Sequence, residues 1–182
     1  MAYTQATRKQ LSTKALDENT FCNKMNSFGY ICEKCSKLED KNGKDFKFKK
    51  PEDKEWKYVD VKGFKSFRKI FGTDKDNTFI ETYYNLNNNS LGWVCHDWYT
   101  AFKVTDEYNY AIVHNSLLRK LLKEKAAKDA DKVNLDDVKD AYEIKNYYPY
   151  IRNSSDKTGE VKSVIYWVPL KDITSLDGVV FI

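Results

Sequence analysis

The feature that most constrains this chain is a pair of alternating runs, residues 45–50 and 56–62, on either side of Pro51-Glu52-Asp53-Lys54-Glu55. Each run largely alternates apolar and polar residues, the period of a half-buried strand. The proline-led polar segment between them reads as a turn. Together they predict a β-hairpin. In such a hairpin Asp45 begins one strand while Asp60 and Lys62 end its neighbour, so all three gather at one end of the sheet. Asp60 and Lys62 are two apart and therefore leave the same face.

An acid on one strand, then an acid and a lysine two apart on the next, suits phosphodiester hydrolysis assisted by a divalent cation. Two carboxylates and a backbone carbonyl are the oxygen ligands that Mg²⁺ or Mn²⁺ takes. A lysine beside them orients or activates the attacking water and offsets charge in the transition state. The bland alternative is that Asp-x-Lys arises by chance on a strand of a lysine-rich chain.

The arrangement Asp45 … Asp60-Val61-Lys62 resembles the PD-(D/E)XK nuclease superfamily, and the wider sequence resembles its small phage-type members. The resemblance runs from Ser12-Thr13-Lys14-Ala15-Leu16-Asp17 through Val59-Asp60-Val61-Lys62-Gly63 and Phe79-Ile80-Glu81. It continues through Gly92-Trp93, residues 97–104, and Arg152 … Val168-Pro169-Leu170. Lys44 stands before Asp45 where many members have proline, at a position that varies within the superfamily.

The resemblance implies an α/β fold with a restriction-endonuclease-like core, a mixed central sheet flanked by helices in the order αβββαβ. To this it adds a C-terminal β-hairpin extension. One nuclease-like domain would span 1–182, with an N-terminal helix to residue 28, a core over 29–126, and a linker with the hairpin over 127–182. The implied activity is Mg²⁺-dependent (or Mn²⁺-dependent) endonuclease cleavage of DNA by a phage-encoded enzyme. Asp45, Asp60 and the Val61 carbonyl would hold the metal, Lys62 would position the water, and Glu81 would be a further acid near the site. In the superfamily the leading helix often supplies an acid, which here is Asp17 or Glu18. Arg152 would meet phosphate. Many relatives act as homodimers. The spacing alone leaves RNA open as substrate.

Composition bounds these expectations. A chain of 182 residues with 41% hydrophobic and 15% aromatic content has enough material for a proper core. Its net charge of +4 is too mild to announce a nucleic-acid binder. Distribution says more: residues 44–69 hold ten Lys/Arg against five acids, which suits a polyanionic substrate or, equally, a solvated surface. No apolar run approaches membrane-spanning length, and the first residues lack a signal-peptide core. The expectation is a soluble cytoplasmic protein, in the host cytoplasm if phage-encoded, without a membrane partner and not secreted. Four cysteines are too few for a disulfide scaffold.

Taken in order, residues 8–28 read as an amphipathic helix ending near Gly29, and residues 30–35 as the first strand and its exit. Cys32-x-x-Cys35 has knuckle spacing, with Cys22 or Cys95-His96 as possible completing ligands. A second close pair is missing, so the reading is reduced, packed thiols rather than structural zinc. Asn42-Gly43 signals a turn into the Asp45 strand. Phe64-Lys65-Ser66-Phe67-Arg68-Lys69 interleaves cations with aromatics, so Lys65, Arg68 and Lys69 are nucleic-acid contacts or the polar side of a connector.

Residues 78–84 read as a strand on which Glu81 shares a face with Phe79 and Tyr83. An acid among aromatics needs a metal or an ion pair, the latter with a lysine such as Lys62 or Lys65. Residues 92–102 read as a short helix feeding a strand, with Trp93, Trp98 and Phe102 in the core. A strand over 110–114 precedes a helix over 117–128, capped by Asn115 or Ser116, with Leu117, Leu118, Leu121 and Leu122 as its buried stripe. Residues 123–140 read as a helical extension and exposed loop, and residues 147–170 as a closing hairpin. Two other functional classes stay open. One is a nuclease-fold protein that binds nucleic acid, or sits in a virion, without cleaving. The other is an interaction protein directed at a host factor.

Overall fold

The alternating runs do form a hairpin. The computed structural model describes residues 20–41, 43–62, 77–104, 110–127, 130–138, 143–156 and 159–182. In it β1 (Ile31–Lys34), β2 (Phe46–Lys49) and β3 (Lys57–Lys62) make an antiparallel meander. The later described strands are β4 (Asn77–Asn85), β5 (Ser90–Leu91), β6 (Tyr99–Lys103) and β7 (Tyr110–His114). They are followed by β8 (Val133–Asn134), β9 (Pro149–Asp156), β10 (Gly159–Pro169) and β11 (Val180–Phe181). These strands form a six-stranded sheet, β1-β2-β3-β6-β7-β11, and a five-stranded sheet, β5-β4-β10-β9-β8. Each sheet contains a parallel pair, β3 with β6 and β8 with β9, so both are mixed. With its few short helices the chain is mixed α/β.

Chain contacts divide the protein into two compact units of interleaved segments. Residues 1–64, 98–112 and 180–182 make the first, and residues 65–97 and 113–179 the second.

In the first unit, period-two alternation decides which side chains go inside. Phe46, Phe48, Val59 and Val61 face the core, and Phe21 and Met25 of the helix at residues 20–27 cover them. Phe21 meets Phe46 and Tyr110 with ring centroids 5.7 and 5.1 Å apart, the second contact edge-on. Full burial of each such side chain contributes about 1.5–3 kcal/mol. Gly43 turns the chain toward Asp45 at φ 82°, in keeping with the turn signal there, and a short helix, Lys37–Lys41, started by a capping box, precedes it. The Ser36 hydroxyl accepts from the Glu39 N–H at 3.4 Å, while the Glu39 carboxylate accepts from the Ser36 N–H at 2.9 Å.

The second unit departs most from expectation. The closing hairpin is not an extension: β10 lies at the centre of the five-stranded sheet, between β4 and β9. Ile144, Tyr150, Ile165 and Trp167 form its core cluster. Residues 92–102 contain no α-helix. Trp93–Cys95 is a single 3₁₀ turn, whose carbonyls are taken by side chains of the helix Asn115–Lys125. Asn115 donates to the Trp93 carbonyl at 3.0 Å, and Arg119 to those of Val94 and His96 at 2.9 and 3.1 Å.

That helix starts two residues earlier than expected, because His114 is its cap. The His114 ring nitrogen accepts from the Ser116 N–H at 3.3 Å. It ends at Lys125, and Leu118, Leu121 and Leu122 are its buried leucines, while Leu117 is half-buried. No helix of the described residues is long and apolar enough to cross a membrane.

Candidate functional site

The hairpin brings Asp45, Asp60 and Lys62 together at one end of the first sheet. Asp45 directly precedes β2, and its N–H donates to the Val59 carbonyl at 3.0 Å, extending the β2–β3 ladder by one residue. Beyond that point β3 continues without β2 beside it. The Asp45 carboxylate fills the place of the missing strand by accepting from the Val61 N–H at 2.7 Å. Asp45 is therefore fixed by backbone on one side and by its own side chain on the other.

Asp60 and Lys62 leave the face of β3 opposite the core residues Val59 and Val61. Asp60 is nevertheless only 5% exposed, as is Asp45. Lys62 holds the Asp60 carboxylate at 2.5 Å while its own side chain stays 27% exposed. The parallel pairing of β3 with β6 sets Thr100 opposite Asp60, fully buried, so a hydroxyl shares the acid's face. The site thus offers one carboxylate anchored on the Val61 N–H and a second already holding a cation.

That donor chemistry fits a hard divalent cation. The side chains that could hold one, Asp45 and Asp60, offer oxygens, and the ammonium on Asp60 shows that its carboxylate accepts a positive charge.

The same outer face continues away from the acids as a row of cations and rings. Lys47 and Lys49 share a face of β2, and their ammonium groups lie 4.8 and 5.0 Å from the Trp56 ring. Lys44 lies 3.9 Å from the centroid of the Tyr58 ring and 5.5 Å from that of Trp98. The neighbouring Glu39 carboxylate pushes the Tyr58 phenol pKa upward. None of these residues was singled out by motif, although the alternation already puts Lys47, Lys49, Tyr58 and Asp60 on one side. Thr100 had no such signal, because its pairing with β3 joins segments forty positions apart in the sequence.

Glu81 and Arg152 belong to the second unit, where they pair with each other at 3.0 Å. The ion-pair reading of Glu81 therefore has Arg152 as a partner. The Arg152 guanidinium also stacks 5.2 Å above the Phe79 ring and reaches the Ser163 hydroxyl at 3.5 Å. Between Val164 and Ile165 the register with β4 slips by one, leaving Thr82 as an extra residue. Glu81 keeps the face of Phe79, but the bulge turns Tyr83 to the other, contrary to simple alternation. Gly92 packs on this bulge so closely that a Cβ there would stand 2.3 Å from the Glu81 carbonyl oxygen.

Cys22, Cys32 and Cys35 lie in the first unit and Cys95 in the second, all as free thiols. Burial is the main cause raising both close thiols, Cys35 to about 11, which keeps them protonated at neutral pH. Among the described residues no group of three or more His, Cys, Asp or Glu side chains is placed to hold a metal. Asp17, Glu18, Lys65, Arg68 and Lys69 lie outside the described residues.

No family model matches the chain, and neither a curated protein nor a solved structure gives a match.

Proposed function

We propose that the protein is a metal-dependent nuclease whose site is built from Asp45, Asp60 and Lys62. The observation that carries the reading is the convergence of two buried carboxylates and a partly exposed lysine at one sheet end, on the face away from the core. The strand order supports it too. A helix, a three-stranded antiparallel meander and a next sheet strand parallel to β3 agree with the restriction-endonuclease-like core.

In this reading a divalent cation would be held by the Asp45 and Asp60 carboxylates and the Val61 carbonyl. Such a cation, when bound, supplies Lewis acidity and lowers the pKa of water. Asp45 keeps its position because the Val61 N–H anchors one carboxylate oxygen. Lys62, once drawn off Asp60, presents its ammonium to the water or to the phosphoryl oxygens, where charge builds in the transition state. DNA is the proposed substrate by resemblance.

Purified protein incubated with supercoiled plasmid and linear duplex in Mg²⁺ or Mn²⁺, beside Asp60→Ala and Lys62→Ala, tests this. The expected result is metal-dependent nicking or cutting that both variants lose. Binding to DNA with no turnover in any metal would replace the nuclease by a non-catalytic nucleic-acid binder of the same fold. Cutting that survives in Asp60→Ala would remove Asp60 from the site.

A further inference from the structure

The row of cations and rings on the outer face of the hairpin has a composition that core packing does not require. Lys47, Lys49, Trp56 and Tyr58 alternate with Phe46, Phe48, Val59 and Val61 and so face away from the core cluster those four line, and Lys44 lies on the Tyr58 ring. Trp56 and Tyr58 are half-buried, and the three lysines are too. A tryptophan on a wet sheet face sacrifices part of the large apolar area that normally justifies it.

The charges on this face are disposed unequally. Lys47 is shared between the Trp56 ring and Glu33, whose carboxylate lies at 3.3 Å. Lys57, on the other face of β3, is taken by Asp53 at 3.5 Å. No carboxylate among the described residues makes an ion pair with Lys44 or Lys49, and aromatic rings hold their ammonium groups instead. A ring fixes a lysine without neutralising it. The face therefore carries positioned cations beside stackable rings, Lys44 and Lys49 without an ion-paired carboxylate among the described residues and Glu39 beside Tyr58, in a row leading to Asp45, Asp60 and Lys62.

We infer that this face is a track for single-stranded nucleic acid, with the lysines on its phosphates and Trp56 and Tyr58 against its bases. Rings on an open sheet face can reach bases only where those bases are unpaired, since a duplex hides them in its stack. The alternation of strand residues sets Lys47 and Lys49 one side-chain repeat apart along β2, a linear array suited to an extended backbone. The inference deepens the nuclease reading and rests on it in one respect, that the strand's reacting phosphate lies at the acid end of the row. It assigns the substrate class as a single strand, or the unpaired arm of a branched or overhanging end.

Fluorescence anisotropy in EDTA separates binding from any cleavage. The probes are labelled oligothymidine and oligouridine of about 15 nucleotides, near the upper end of single-strand site sizes, and a duplex of equal length. The expected result is tighter binding of either single strand than of duplex, weakened about tenfold in Trp56→Ala. A Lys44→Gln/Lys49→Gln double variant should show a shallower salt dependence. Whichever single strand binds more tightly names the sugar. Unchanged circular dichroism and urea midpoint in Trp56→Ala, expected for a half-buried side chain, would assign the loss to binding rather than to folding. Equal affinity for duplex with no effect of Trp56→Ala would overturn the track, as would no binding of either single strand. Plasmid cutting by the same wild-type preparation would then leave the nuclease reading standing on its own.

Discussion

Two acid–cation pairs on strands, Asp60–Lys62 in the first unit and Glu81–Arg152 in the second, use similar ingredients for opposite ends. Each carboxylate is less than 10% exposed. The first pair is local, two residues apart on one strand, and its cation is a flexible lysine whose side chain is 27% exposed. The second joins positions 71 apart and is clamped by a planar guanidinium that also meets Phe79 and Ser163. A lysine can swing to solvent and expose its acid to a ligand, whereas the arginine has ring and hydroxyl contacts to lose. Under the proposed function the difference would separate an acid available for chemistry from an acid held as a staple.

Removing the acids should break the two pairs in different currencies. Asp60→Ala is expected to lower metal-dependent cutting by about 10³-fold, on the order of 4 kcal/mol of transition-state stabilisation. Its folding stability should fall by about 1–2 kcal/mol, since the carboxylate is 7% exposed and the Lys62 side chain, 27% exposed, still reaches water when its partner is removed. Plasmid cleavage rates beside urea denaturation would read both quantities. A large loss of stability in Asp60→Ala would collapse the contrast.

The backbone beneath the second pair comes next. Gly92→Ala is expected to cost about 3 kcal/mol, since its Cβ meets the backbone of Glu81 and Thr82 and cannot be accommodated by turning a side chain. The urea midpoint measures it. Glu81→Ala should follow at about 2–3 kcal/mol, below the value for a fully enclosed pair because Arg152 is about a third exposed. Cleavage per folded molecule should fall far less in Glu81→Ala than in Asp60→Ala. Equal falls would return Glu81 to the catalytic set.

The smallest effect concerns another acid of the second unit. The Tyr147 hydroxyl donates to Asp172 at 2.6 Å and Lys125 reaches the same oxygen at 3.0 Å. The Tyr147 bond is the larger cause holding the Asp172 carboxyl below its usual range. Its folded-state pKa therefore lies beneath an unfolded value of about 3.9. The stabilisation is complete above that value and is lost as pH falls through the folded pKa. Tyr147→Phe is expected to cost about 1–2 kcal/mol near neutral pH and to flatten the acid limb of stability against pH. Denaturant titrations from neutral pH to below the unfolded pKa would show a converging pair of curves.

What could be read ahead of the structure follows the range of each interaction. Sequence alone determined the β2–β3 hairpin and the convergence of Asp45, Asp60 and Lys62, because period-two alternation and a proline-led turn act within a dozen residues. The capping box at Ser36-Lys37-Leu38-Glu39 is equally local, a helix-start signal that stands beside the Asn42-Gly43 turn signal. His114 displaced Asn115 and Ser116 as the cap because its ring nitrogen is also an acceptor for the Ser116 N–H. Tertiary structure alone decided that β10 is central to a second sheet, that Thr100 stands beside Asp60, and that Arg152 takes Glu81. Those outcomes depend on which distant strands pair and in what register. Side-chain pattern specifies a strand's face but not its neighbour, and a single bulge at Thr82 is enough to turn a side chain from one face to the other.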